Sequence, residues 1–142
     1  MTVKNLVVEN KIDFLGLIET KHRNTICSRV KRMWGCDDFS FCESYASDTF
    51  AGGIVTVWDN SKFLVSNKHI GTRWILLEGQ VNAVQLDCCV GVVYGPNDRL
   101  GRSIFFEDLK SIIQTINKPV LLLGISMSFS TLLKELECLI VC

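Results

Sequence analysis

The chain has 142 residues and a mass of 16.0 kDa, room for one domain and little more. Hydrophobic residues make up 48% and charged residues 21%, which excludes intrinsic disorder; 15 Lys and Arg balance 15 Asp and Glu, which excludes a polybasic binder of nucleic acid or membrane. No apolar run approaches the roughly 18 residues of a membrane span, and Met1-Thr2-Val3-Lys4-Asn5 lacks the basic and apolar regions of a signal peptide, so the protein is expected to be soluble, nuclear or cytoplasmic, and not secreted.

Val3 to Lys11 places Val3, Leu6, Val7 and Asn10 on one helical face, with Thr2 as N-cap. Asp13 to Ile18 is then a continuous apolar run closed by Glu19-Thr20, the pattern of a strand covered on both faces. Ile26, Val30 and Met33 or Trp34 recur at helical spacing, and Gly35 ends that helix. Five strand-like pieces follow, Asp38 to Tyr45, Gly52 to Trp58, Phe63 to Ile70, Arg73 to Gln80 and Ala83 to Tyr94. The breaks between them are rich in turn formers and predict a β-meander. Arg102 to Asn117 carries the clearest helical stripe, Phe105, Phe106, Leu109, Ile112, Ile113 and Ile116. Val120 to Gly124 is a second buried strand, and Ser126 to Glu137 is compatible with a further helix.

This order predicts an α/β protein of two stacked sheets with helices on both outer faces, with a single three-layer sheet as the alternative. The seven cysteines form an odd set without a Cys-x-x-Cys pair, and read as reduced thiols packed as small apolar groups; adjacent Cys88 and Cys89 point to opposite faces of a strand. His22 and His69 read as surface residues, and the Ser126, Ser128, Ser130 and Thr131 cluster as a helix cap.

Catalytic groups in α/β folds gather where buried strands end. Three strand ends qualify: Glu19, the Tyr94-Gly95-Pro96-Asn97-Asp98-Arg99 segment, and Gly124-Ile125-Ser126-Met127. A carboxylate with amide and phenol groups on one rim suits a hard cation such as Mg²⁺ and a phosphate oxygen.

Ile12 to Lys21, Ala51-Gly52-Gly53-Ile54 with Trp58-Asp59, Val90 to Asn97, Phe105-Phe106 with Leu109, and Pro119 to Gly124 resemble, in order, the endonuclease/exonuclease/phosphatase superfamily. Within it the chain most resembles the endonuclease domain of plant LINE-type, non-LTR retrotransposons, over residues 1–124 of one partial domain, with 125–142 a divergent end. The resemblance implies an incomplete four-layer α/β sandwich of the DNase I-like type and Mg²⁺-assisted hydrolysis of a DNA phosphodiester. It assigns the metal to Glu19, a catalytic role at the phosphate to Tyr94, and phosphate binding to Asn97 and Arg99.

The chain also departs from that pattern. It starts after the opening strand whose Asn orients the metal carboxylate, and it stops before the Ser-Asp-His element. Where the family has Asp-Phe-Asn after the later strand, Ile125-Ser126-Met127 stand here. The expectation is a retrotransposon-derived endonuclease domain, inactive as this fragment, with DNA as the family's partner and self-association through uncovered apolar surface. A non-catalytic module binding nucleic acid or protein, and a phosphatase or phosphodiesterase of the same superfamily, are the alternatives.

Overall fold

The computed structural model describes residues 2–20, 26–35, 37–45 and 53–125, and of residues 19, 26 and 125 only the backbone. Helix α1 (Val3–Asn10) opens at Thr2, whose hydroxyl accepts from the Asn5 backbone N–H at 3.3 Å, and closes on Lys11 in the left-handed conformation. Strand β1 (Phe14–Thr20) leads to α2 (Ile26–Trp34), after which Gly35, at φ +80°, turns the chain as a residue with a Cβ rarely could. Strands β2 (Phe39–Ser44), β3 (Gly53–Asp59), β4 (Phe63–Ile70), β5 (Trp74–Val81) and β6 (Leu86–Tyr94) follow, then α3 (Arg99–Thr115) and β7 (Val120–Ile125).

These strands do not form one meander. β2 and β3 join β1 in an antiparallel sheet of order β1-β3-β2, and only β4, β5 and β6 run as a meander, in a second sheet of order β4-β5-β6-β7. The chain changes sheets at Asp59 to Lys62, where the Asp59 carboxylate accepts from the Ser61 N–H at 2.8 Å and the Asp59 carbonyl from the Lys62 N–H at 3.1 Å. A period-two pattern fixes which face a residue takes, not which sheet its strand enters. Gly79 pairs with Cys88 inside β5, and the turn that follows lies at 82–85, with Gln85 left-handed at φ 52°.

Four layers result. Outside the first sheet, Val7, Val30 and Trp34 of α1 and α2 pack on Val55 and Val57. Between the sheets lie Ile54, Trp58, Phe63, Ile75, Leu77 and Val92. Outside the second sheet the expected α3 stripe is buried, Phe105, Leu109, Ile113 and Ile116 packing on Leu76, Cys89, Val93 and Leu122. α3 begins earlier than its stripe, because the Asp98 carboxylate caps it, accepting from the Gly101 N–H at 2.6 Å. α1 is less buried than its spacing predicts: Val7 is covered, whereas Val3 and Leu6 are exposed.

β1 crosses β6 so closely that a Cβ on Gly16 would lie 2.7 Å from a Val92 methyl, which keeps that position glycine and seats β1 over β6. Cys88 faces the inter-sheet core and Cys89 the helix side, as adjacent strand residues must. Of the described cysteines, Cys42, Cys88 and Cys89 are buried, Cys27 is exposed, and all are free thiols. No helix among the described residues is long and apolar enough to cross a membrane.

Candidate functional site

One rim of the sandwich collects the strand ends that the sequence singled out. In sheet one, Ile18 pairs with Ile54 and Thr20 with Gly53, so Glu19 is the extra residue of a bulge at the end of β1. Ser44, at the end of β2, is buried and donates its hydroxyl to the Gly71 carbonyl in the β4–β5 connection, tying the two sheets together at this end. Two residues on, the Arg73 carbonyl accepts from the Tyr94 N–H at 2.9 Å, and Tyr94 pairs in parallel register with Ile125. The ends of β1, β2, β6 and β7 therefore meet the β4–β5 turn along a single rim.

Tyr94 is half-buried against the inter-sheet core, and the Arg73 guanidinium stands 5.7 Å from its ring centroid. Asn97 and Arg99 are exposed on the segment that follows. The Asn97 carbonyl accepts from Arg102 Nη1 at 2.7 Å, while Arg99 opens α3. Thus the rim holds the Glu19 and Tyr94 positions, with Asn97 and Arg99 beside them. Arg73 is the rim cation that sequence reasoning placed only as the first residue of a strand. Its signal is the register: a turn residue whose strand pairs with β6 must arrive beside the residue that ends β6.

Thr20, next to Glu19, has a buried hydroxyl without a hydrogen-bond partner, the single such side-chain oxygen or nitrogen among the described residues. Most buried polar groups are paired, so this one marks the rim as a place where the fold leaves polarity unspent.

His69 is not a simple surface residue. Its Nε2 lies 2.7 Å from Glu78 Oε2, which also accepts from Asn67 Nδ2 at 3.0 Å, while Lys118 Nζ lies 3.3 Å from Glu78 Oε1. The hydrogen bond from His69, with those from Asn67 and Lys118, holds the Glu78 carboxyl below the usual glutamate range against the opposing effect of burial. Glu78 faces the helix side of β5, three residues beyond Ile75 and away from the rim.

Glu19 offers the hard oxygen donor that Mg²⁺ prefers, an ion commonly held by one or two carboxylates with waters and substrate phosphates. Among the described residues no three His, Cys, Asp or Glu side chains converge to hold a metal ion, so they form no all-protein cage.

No protein-family model matches the chain, and no curated protein does. Solved structures do. An endonuclease/exonuclease/phosphatase family protein from Bacteroides thetaiotaomicron superposes with a TM-score of 0.72 at 10% identity, over 94% of this chain and 58% of that one. A mannosyl-6-phosphatase from the same species gives 0.69 at 12%, over 94% and 60%. The human Nocturnin catalytic domain, solved with a bound sulfate anion, gives 0.62 at 12%, over 83% and 52%. The chain therefore spans little more than half the length of these proteins, and the two stacked sheets with their outer helices are a partial DNase I-like fold, shared with structures of the endonuclease/exonuclease/phosphatase superfamily.

Proposed function

We propose that the rim handles a phosphodiester, and that the chain descends from a Mg²⁺-dependent DNA endonuclease of the non-LTR retrotransposon type but does not cleave DNA by itself. The observation that carries this reading is the meeting of the Glu19 and Tyr94 strand ends on one rim, with the Arg73 guanidinium over the Tyr94 ring. Arg73, Arg99 and the Asn97 amide supply positive charge and donors for phosphate oxygens without requiring a basic protein overall. Mg²⁺ held at Glu19 would polarise a phosphoryl oxygen.

Hydrolysis also needs a group to activate water. After Gly124, where the resemblance expects a carboxylate, the strand ends in Ile125, which can neither accept a proton nor hold a cation. A missing electrostatic group of this kind commonly costs about 10²–10³ in rate. Purified protein should leave supercoiled plasmid intact in Mg²⁺ while shifting a labelled duplex at low salt. Reproducible nicking that Glu19→Ala abolishes would overturn the claim of inactivity, and absence of any salt-dependent shift would overturn the phosphodiester reading. The phosphatase alternative predicts instead turnover of a chromogenic phosphate ester. A nuclear or cytoplasmic location belongs to the same proposal.

Self-association is part of it as well. Leu121 and Leu123 on the outer strand β7 are 50% and 41% exposed, in a parallel strand of a kind normally covered on both faces. Size-exclusion chromatography should show dimers or larger species, and a tight monomer would contradict this.

A further inference from the structure

The two sheets are unequal and offset. Sheet one has three strands and sheet two has four, and β1, an outer strand of the first, lies over β6 of the second, where Gly16 meets Val92. β7 therefore projects past β1. Leu121 and Leu123 pair in register with Val90 and Val92 and share their face toward sheet one, but Val92 is 2% exposed beneath β1 while Leu121 and Leu123 are 50% and 41% exposed. Among the described residues β1 pairs only with β3 and β7 only with β6, which leaves each strand an open edge of backbone donors and acceptors. The two leucines thus form an apolar shelf, and the edge of β1 runs along its back. The opposite side of sheet two is guarded against pairing, since β4 carries a bulge at Ser66 and an exposed Lys68. β1 is regular and uncharged from Phe14 to Ile18, and β7 is uncharged throughout.

We infer that the shelf is filled by β7 of a second copy of this chain, in a closed two-fold dimer. The axis runs parallel to the strands, midway between the two sheets and over β7. Turned about it, the second β7 lies directly over the first, about 10 Å away as stacked sheets are, with Leu121 facing Leu121 and Leu123 facing Leu123. It then lies level with sheet one and pairs with the open edge of β1, while the second β1 pairs with the open edge of the first β7. Each resulting sheet joins the three strands of one copy to the four of the other, and both unguarded edges are closed. A second copy that offered β1 to this edge instead would bring its own second sheet or outer helices onto β7. Because β1 and β7 both end on the rim, the new pairs are parallel and the two rims open at the same end of the dimer, with the end of the second β7 beside Glu19. This inference rests on the self-association proposed above and gives it an interface and a stoichiometry.

Light scattering of the intact protein should give a dimer and nothing larger, because a two-fold contact closes on itself. In hydrogen exchange read by NMR over a dilution series, alternate amides of β1 and β7 should be at least about tenfold better protected in the dimer than in the monomer, with β4 amides unchanged. Leu121→Lys sets like charges face to face across the axis and should weaken the dimer about a hundredfold, whereas Lys68→Gln on β4 should leave it unaltered. The dilution series decides the matter even if Leu121→Lys fails to fold. A dimer that survives Leu121→Lys, or whose β1 amides exchange as fast as the monomer's, would overturn this interface and leave self-association standing on another surface. Open-ended growth into larger species would overturn it in the same way. A monomer at every concentration would overturn both.

Discussion

Two polar assemblies sit on the second sheet, and they are built in opposite ways. Around Glu78, each carboxylate oxygen has a partner within 3.3 Å, from His69 and Asn67 on β4 and from Lys118 just before β7. Those partners come from two separate stretches of chain on either side of β5, so the network clamps the far half of the sheet. At the rim, Asn97 and Arg99 are exposed, Arg73 is half-buried with its guanidinium against the Tyr94 ring, and the buried Thr20 hydroxyl has no partner. A protein that needed its charges only for stability would spend them as Glu78 does. Polar groups left open along one edge are available to an outside ligand, as the reading proposed for the rim requires.

The sharpest way to break that contrast is at Glu78. Its side chain is 13% exposed, and removing it leaves His69, Asn67 and Lys118 turned toward an empty place. Glu78→Ala should cost about 2 kcal/mol in urea unfolding, whereas Arg99→Ala should stay within about 0.5 kcal/mol. Equal costs would mean that the rim is structural too. Acid adds a second measure. Because the folded carboxyl is held below its ordinary value of 4.5, Glu78 contributes stability above that value and loses it as the pH falls through the lower, folded one. The urea midpoint of the wild type should therefore drop more steeply between pH 5 and pH 3 than that of Glu78→Gln, pH values that bracket the usual glutamate range of about 4.3.

The legibility of the molecule in its sequence follows the same division. Strand and helix positions were readable because burial imposes a period, as the α3 stripe and the two faces of Cys88 and Cys89 show. The allocation of β2 and β3 to the first sheet was not, since β3 pairs with β1 across a helix and another strand of intervening chain, a choice no local pattern encodes. Glu19 and Tyr94 were identifiable as strand ends and by resemblance. Arg73 and the Glu78 network were not, because each depends on register: Arg73 meets Tyr94, and His69 meets Glu78, only across strand pairs.

Arg73 provides the next test in size. If its guanidinium serves a phosphate, Arg73→Ala should weaken duplex binding about fivefold and reduce the slope of log affinity against log salt by about 0.9, with unfolding little changed. Loss of affinity with an unaltered slope would assign Arg73 to packing on Tyr94 alone.

The smallest effect is expected at Thr20, and its sign separates the two assemblies. A buried hydroxyl without a partner carries its desolvation cost with no return, so an apolar side chain of the same shape should be neutral or better. Thr20→Val should raise stability by up to about 1 kcal/mol, where the loss of a Glu78 contact lowers it. If Thr20→Val instead destabilises the protein, the hydroxyl is hydrogen-bonded in solution and the rim is as closed on itself as the Glu78 network. If it stabilises the fold while weakening duplex binding, the hydroxyl is held in reserve for the same occupant that Arg73 and Tyr94 face, and the cost to the fold is the measure of how strongly that occupant is favoured.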